Sequence, residues 1–350
     1  MENIDTAVQE EPAADKGADG VAEASSAVLT KSSRRTQIIN ALRWLAVVVV
    51  VGCAAYQLWA NWGEFWDTLR DIPWQSSVLS LAAVVASMAA TVYGWQVIVD
   101  DLGPPIGYRT GAQIYLVGQL GKYVPGSVWG YLLQMELGKQ AGLARARVFV
   151  ATLVHLGIIM VSAMFFGLIA LPEIFATSPN ARWMLLVLPV GLITLHPKVL
   201  TWLTSLALRI LRRQPLDHQL RWGMIGKVLG ASSVAKLFHG LHLWLLANSV
   251  GAPGWTGLLL CIGAMALAMT AGTVAFILPA GVGAREVVIV ALLVASGIDP
   301  VQAGAFAVVS RAMFLMADLI TAGGAIAAAK MKLRGDAAGA DKRADETPAK

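Results

Sequence analysis

Charge is scarce in this chain. Of its 350 residues, 14% are charged and 57% are hydrophobic, whereas soluble domains carry roughly a quarter charged residues. Mean hydropathy is correspondingly high, at +0.63. Cysteine is nearly absent: Cys53 and Cys261 lie in separate apolar stretches, form no CxxC site, and read as small core hydrophobes. There is no GxxxxGK[ST] phosphate loop, which excludes ATP hydrolysis through that motif. HExxH, a Cys/His cluster and a GxSxG elbow are also missing. Intramembrane Asp, His and Lys groups could act as acid and base, but nothing assembles them into a nucleophile, base and orienting partner. No residue ring or repeated filter motif points to a channel. The expectation is therefore no enzyme activity, no metal, no cofactor and no nucleic-acid partner.

What the chain does have is long apolar runs. A bilayer-spanning helix needs about 20 mostly apolar residues, because the hydrocarbon core is about 30 Å thick. Ala41–Trp59, Val78–Val99, Val148–Leu171, Trp183–Leu195, Val228–Val250, Gly257–Leu278 and Val301–Ala329 qualify, the fourth being short and ending at His196-Pro197. The fold class that follows is all-α, a polytopic transmembrane bundle over residues 41–330. Residues 1–40 mix acidic and small residues, and Leu333–Lys350 is polar; neither has apolar periodicity. Tails 1–40 and 331–350 are therefore expected to be disordered and cytoplasmic. A polar tail precedes the first run, where a cleavable signal would begin with a short basic region, so Ala41–Trp59 reads as a retained signal anchor.

Basic loops stay on the cytoplasmic side and so orient the bundle. Lys31, Arg34, Arg35 and Arg43 put the N-terminus inside, and the acidic loop with Glu64, Asp67, Arg70 and Asp71 suits the outside. Glu136–Arg147 and Lys198–Lys227 are basic and suit the inside, as do Lys330, Lys332 and Arg334. Within Lys198–Lys227, the apolar Val199–Leu211 suits the membrane interface. Both termini are thus expected in the cytoplasm, with the chain in the plasma membrane. Trp59, Trp62, Trp66 and Trp74 flank span ends as an interfacial belt.

This orientation has a consequence. Asp100–Arg109 and Lys139–Arg147 share the cytoplasmic side, so Gly111–Met135 must enter the membrane and return. Pro125-Gly126 breaks it in the middle. In the second half, Pro279, Gly281 and Gly283 interrupt an apolar run, and Val287–Gly297 is too short to span at about 1.5 Å per residue. Paired Pro/Gly breaks in matching positions mark the binding site of many transporters; two ordinary proline kinks give the same pattern. Charges favour the first reading. Lys122 precedes one break, and Arg285 and Glu286 follow the other. Arg311 and Asp318 share a face of the last span, as a site pair or an architectural ion pair. Lys236 and His239 share a face of the run Val228–Val250, where Lys236 could also snorkel to an interface. A charge at the bilayer centre costs at least ~2.5–3.5 kcal/mol, so each is a functional candidate by default. His155 and His242 read as hydrogen-bonded core residues. Trp129 lies beside the first break. Ala317, Thr321, Ala325 and Ala329 form a small-residue stripe suited to helix packing.

At these breaks the chain resembles a known family. GQLGKYVPGSVW (Gly118–Trp129) and LPAGVGARE (Leu278–Glu286) look like the signature regions of the flippase-like family. That family is also named for the lysylphosphatidylglycerol synthase transmembrane region. The His196-Pro197-Lys198 turn and Arg311 fit it as well, and the resemblance runs from Arg43 to Ala329. It implies a bundle of about eight helices with re-entrant elements that moves a lipid head group between leaflets. Lys122, Tyr123, Pro125, Gly126 and Ser127 would line one half of its site, and Pro279, Gly281, Gly283, Arg285 and Glu286 the other. Family members that aminoacylate phosphatidylglycerol carry a transferase domain after the membrane part. Here the sequence ends at Lys350, so lipid aminoacylation is not expected.

The function expected is a lipid flippase-like translocator without its own ATPase. It would hold a phospholipid or polyprenyl-phosphate head group with Lys122, Arg285 and Arg311, with Asp318 or Glu286 holding those cations when the site is empty. The alternatives are a scaffold for a membrane glycosyltransferase, docked through Lys198–Lys227, and a small-solute secondary transporter with a closed aqueous cavity.

Overall fold

The computed structural model of the protein describes residues 59, 62–123, 129–171, 193–194, 196–210, 220–248, 254–275 and 281–345, all within one unit, Val50–Lys350. The expected spans Ala41–Trp59 and Trp183–Leu195 fall almost wholly outside these residues, and so do Pro125, Gly126, Ser127 and Pro279. Among the described residues every regular element is helical: α1 Trp62–Asp71, α2 Trp74–Asp101, α3 Tyr108–Gln119 with a 3-10 turn Leu120–Tyr123, α4 Trp129–Gln140 and α5 Arg145–Gly167 with a 3-10 turn Leu168–Ala170. They continue with α6 Pro197–Ile210, α7 Trp222–Ala247, α8 Gly254–Val274, α9 Ala284–Ala295 and α10 Pro300–Asp345.

Among the described residues, four helical stretches are long and apolar enough to cross a membrane: Trp74–Asp101, Arg145–Ala170, Gly254–Val274 and Pro300–Met331. They answer to four of the expected runs. The run Val228–Val250 is helix α7, whose 26 residues are long enough. Lys227, Lys236, His239 and His242 dilute its apolar character, and it is not among the four. Its polar groups are covered by protein: α7 packs most extensively on α2 and also contacts α5, α8 and α10. Lipid tails are as apolar as leucine, so contacts between spans rest on close packing and polar links rather than on hydrophobic expulsion.

Two local expectations need correction. Glu64–Asp71, read as a loop, belongs to the ten-residue α1, which buries Phe65 and Thr68 and lies against α10. Its outer side carries Trp62 stacked on Trp66 at 6.0 Å and Arg70 over the Trp66 ring at 5.5 Å, a pattern suited to the interface. The tail expected to be disordered from residue 331 continues the backbone of α10 as far as Asp345. Its alanine, lysine, arginine and aspartate residues are mostly compatible with helix, and no proline intervenes before Asp345.

The first broken segment enters and leaves the bundle on one side. α3 and α4, of 12 residues each, pack against each other; at about 1.5 Å per residue each reaches only part of the way across a bilayer. Arg147, at the start of α5, ties the two ends of the hairpin together. Its guanidinium donates to the Val99 carbonyl at 3.0 and 2.6 Å and to the Pro104 carbonyl at 2.6 Å. Arg221, preceding α7, binds Asp101 on the same side, with N···O distances of 2.8 and 2.6 Å. An exposed Glu136–Arg145 pair closes the α4–α5 turn, and Arg145 holds the Glu136 carboxyl below the usual carboxylate range. Exposed pairs of this kind contribute little to stability.

The core falls into two clusters. One gathers Leu243, Met265, Ile289 and Phe306 around α7–α10. The other gathers Trp95, Ile114, Val154 and Val228 around α2, α3, α5 and α7. Both α2 and α7 run through the two clusters, and between the clusters they become polar.

Candidate functional site

That polar zone is a cavity of about 500 Å³. It takes Ser87, Met88 and Thr91 from α2, and Ser232, Lys236 and His239 from α7. Ser87 sits near the middle of the 28-residue α2, so the cavity lies at mid-depth in the bundle. Lys122 and Tyr123, flanking the first break, line it; so do Gly281 and Arg285, flanking the second, and Arg311 and Asp318 from α10. The described ends of both breaks thus meet at one cavity.

Backbone contacts bring them there. A Cβ on Gly121 would lie 2.6 Å from the Gly130 nitrogen, so the two arms of the first hairpin touch main chain to main chain. Gly281 does the same against α8, where a Cβ would lie 2.5 Å from the Gly272 Cα. Its φ of 65° adds a second reason for glycine.

The ionisable groups join elements distant in sequence. Lys122 Nζ meets Asp318 Oδ2 at 2.6 Å, and the Tyr123 hydroxyl donates to the same oxygen at 2.5 Å. Asp318 has 4% of its surface exposed. Glu286 works twice: one oxygen accepts the Gly283 backbone N–H at 2.7 Å, restraining the first turn of α9, and the other accepts Arg311 at 3.2 Å. Each member of the expected Arg311–Asp318 pair therefore finds a partner on another element.

Arg285 is buried, with its guanidinium 4.0 Å from the Phe314 ring centroid, a favourable cation–π position. It donates to Ser310 Oγ at 2.8 Å. Ser310 meets His242 Nε2 at 2.9 Å, and His242 Nδ1 meets Ser80 Oγ at 2.6 Å. A chain of buried hydrogen bonds thus runs from α2 through α7 and α10 to the guanidinium. His242 is the hydrogen-bonded core histidine expected of it. His155 packs edge-on against Tyr115 at 5.7 Å.

Lys236 and His239, intramembrane candidates far in sequence from both breaks, also line the cavity. Their i, i+3 spacing beside the polar Ser232 was the signal available. Lys236 does not snorkel to an interface: 7% of it is exposed. Trp129, in contrast, is 52% exposed and is not among the lining residues. Gly283 caps α9 at φ 88° and also lies outside the lining. Among the described residues no cluster of His, Cys, Asp and Glu could hold a metal.

Fold and site together define a polytopic membrane helix bundle with a buried cationic cavity at mid-depth. Residues 43–321 match the family of the lysylphosphatidylglycerol synthase TM region, and the chain belongs to that family. Comparison with curated proteins gives no match.

Proposed function

We propose that this protein is a multi-pass plasma-membrane translocator for lipids with anionic head groups, working without an ATPase or an enzymatic step of its own. One observation carries the reading: Lys122, Lys236, Arg285 and Arg311 converge on one mid-depth cavity. The same cavity has apolar walls from Met88, Leu116, Ile159, Met160 and Met269, which suit a molecule that is part head group and part chain. Cations buried in lipid are costly, and a phosphate repays that cost through charge-assisted hydrogen bonds. The side carrying Arg145, Arg147 and Arg221 would face the cytoplasm, following the positive-inside rule.

Reconstitution tests this. Proteoliposomes holding tail-labelled phosphatidylglycerol are treated with a membrane-impermeant quencher, beside Lys122→Ala and Arg311→Ala. Accelerated exchange by wild type, lost in both folded variants, is the expected result. No exchange of any anionic lipid by well-folded protein overturns the reading and favours a scaffold for a membrane glycosyltransferase.

A further inference from the structure

The cavity's charges do not balance. Four cations line it, and the only carboxylate lining it is Asp318 among the described residues. Glu286 stands behind, on Arg311. Lys122 is held by Asp318 and Arg311 by Glu286. Arg285 and Lys236 have no carboxylate within ion-pairing distance among the described residues. Four positive charges less two negative leave an excess of two.

The polar atoms point the same way. Arg285 Nε and His239 Nδ1 are buried with no hydrogen-bond partner among the described residues. Such groups are rare in folded proteins and call for an explanation. Lys236 reaches the same cavity with neither a hydrogen bond nor an ion pair among the described residues. Ser232 and Thr270, which share the cavity lining with it, carry no charge. An uncompensated charge in a medium of low polarity is unfavourable until a counter-charge arrives.

We infer that the cavity is matched to a dianionic phosphate group, a phosphomonoester or a diphosphate esterified at both ends, carried on a lipid. A phosphodiester such as phosphatidylglycerol brings one negative charge and leaves one cation unmatched. A phosphomonoester, with its second pKa near about 6, brings close to two at neutral pH. Lys236 and Arg285 then complete its coordination, while Asp318 and Glu286 keep their present partners. This inference rests on the lipid-translocator reading for the lipid and on the charge count for the dianion.

The test separates the two. Binding to the detergent-solubilised full chain at pH 7 is measured for phosphatidic acid, phosphatidylglycerol and phosphatidylcholine of the same tails, and for glycerol 3-phosphate. Exchange of the same lipids is then measured in proteoliposomes. Phosphatidic acid is expected to bind about tenfold tighter than phosphatidylglycerol, the worth of one further charge-assisted contact. Lys236→Met should collapse that preference to below about threefold, and Lys236→Arg should keep most of it. Equal binding of the two anionic lipids, or an undiminished preference in folded Lys236→Met, overturns the inference. If that variant fails to fold, the wild-type comparison and Lys236→Arg still decide it. Glycerol 3-phosphate binding as tightly as phosphatidic acid overturns the lipid source. Selective binding without exchange of any lipid upholds the dianion and sinks translocation alone.

Discussion

Lys122 and Asp318 form an ion pair at 2.6 Å that pins the tip of the first hairpin to the middle of the last span. The two residues are unequal: Asp318 is almost wholly enclosed, while Lys122 keeps 31% of its side chain exposed. Asp318 also accepts from Tyr123, so its carboxylate holds the end of the hairpin's first arm.

Asp318→Asn should therefore lower stability by about 2 kcal/mol, the upper end for a polar contact between membrane helices. Asp318→Leu combined with Lys122→Met should recover part of the loss, because it leaves no orphaned charge. Thermal unfolding in detergent, arranged as a double-mutant cycle, measures the coupling. Additive losses would show that the pair contributes nothing as a pair.

The glycine contacts make a sharper contrast. Gly121→Ala and Gly281→Ala each force a methyl group onto neighbouring backbone and should cost about 1–3 kcal/mol as overpacking. Gly226→Ala, in the exposed face of α7, meets nothing within 4 Å and should stabilise by up to about 1 kcal/mol through helix propensity. Melting temperatures of the three variants should straddle wild type. Similar values for Gly121→Ala and Gly226→Ala would mean that the hairpin arms do not touch.

These positions also show what was legible beforehand. The breaks near Pro125 and Pro279, and the charges beside them, stand out because a membrane tolerates neither without a reason. Spacing puts Arg311 and Asp318 on one helix face, and both line the cavity. Their partners, Glu286 and Lys122, depend on how distant segments meet, which spacing cannot supply. Lys236 illustrates the same limit. A lysine in an apolar run fits a snorkelling side chain as well as a buried one, and the decision rests with the helices packed around it. Trp129 failed in the opposite direction, since proximity to a break in sequence did not make it face the cavity.

The place of His242 in the hydrogen-bond chain makes a positioning role testable. His242 links Ser80 to Ser310, and Ser310 receives Arg285. Substitution His242→Phe leaves both hydroxyls short of a partner and should cost about 1–3 kcal/mol. A purely structural role ends there. A positioning role predicts in addition that anionic-lipid affinity falls more in His242→Phe than in an equally destabilised variant away from the cavity lining, such as Ile98→Ala. Equal affinities in the two would leave His242 with packing alone.

The geometry of Arg147 leads to the last prediction, which concerns topology. Its guanidinium holds the Val99 and Pro104 carbonyls, so the entrance and exit of the α3–α4 hairpin lie together. Single cysteines at Gly103 and Gly142, in the Cys53→Ser/Cys261→Ser background, should both react with a membrane-impermeant maleimide from the same side. Gly142 has open space around it and φ 82°, so its substitution strains the turn but meets no neighbour. At Gly103 the new side chain presses on Arg147, and Pro105→Cys serves as the check there. Labelling of the two loops from opposite sides would mean that Gly111–Met135 spans the membrane, and a re-entrant hairpin would no longer describe this protein. Arg147→Lys should leave the sidedness unchanged while costing about 1–2 kcal/mol, because a lysine cannot serve both carbonyls in the fork geometry of a guanidinium.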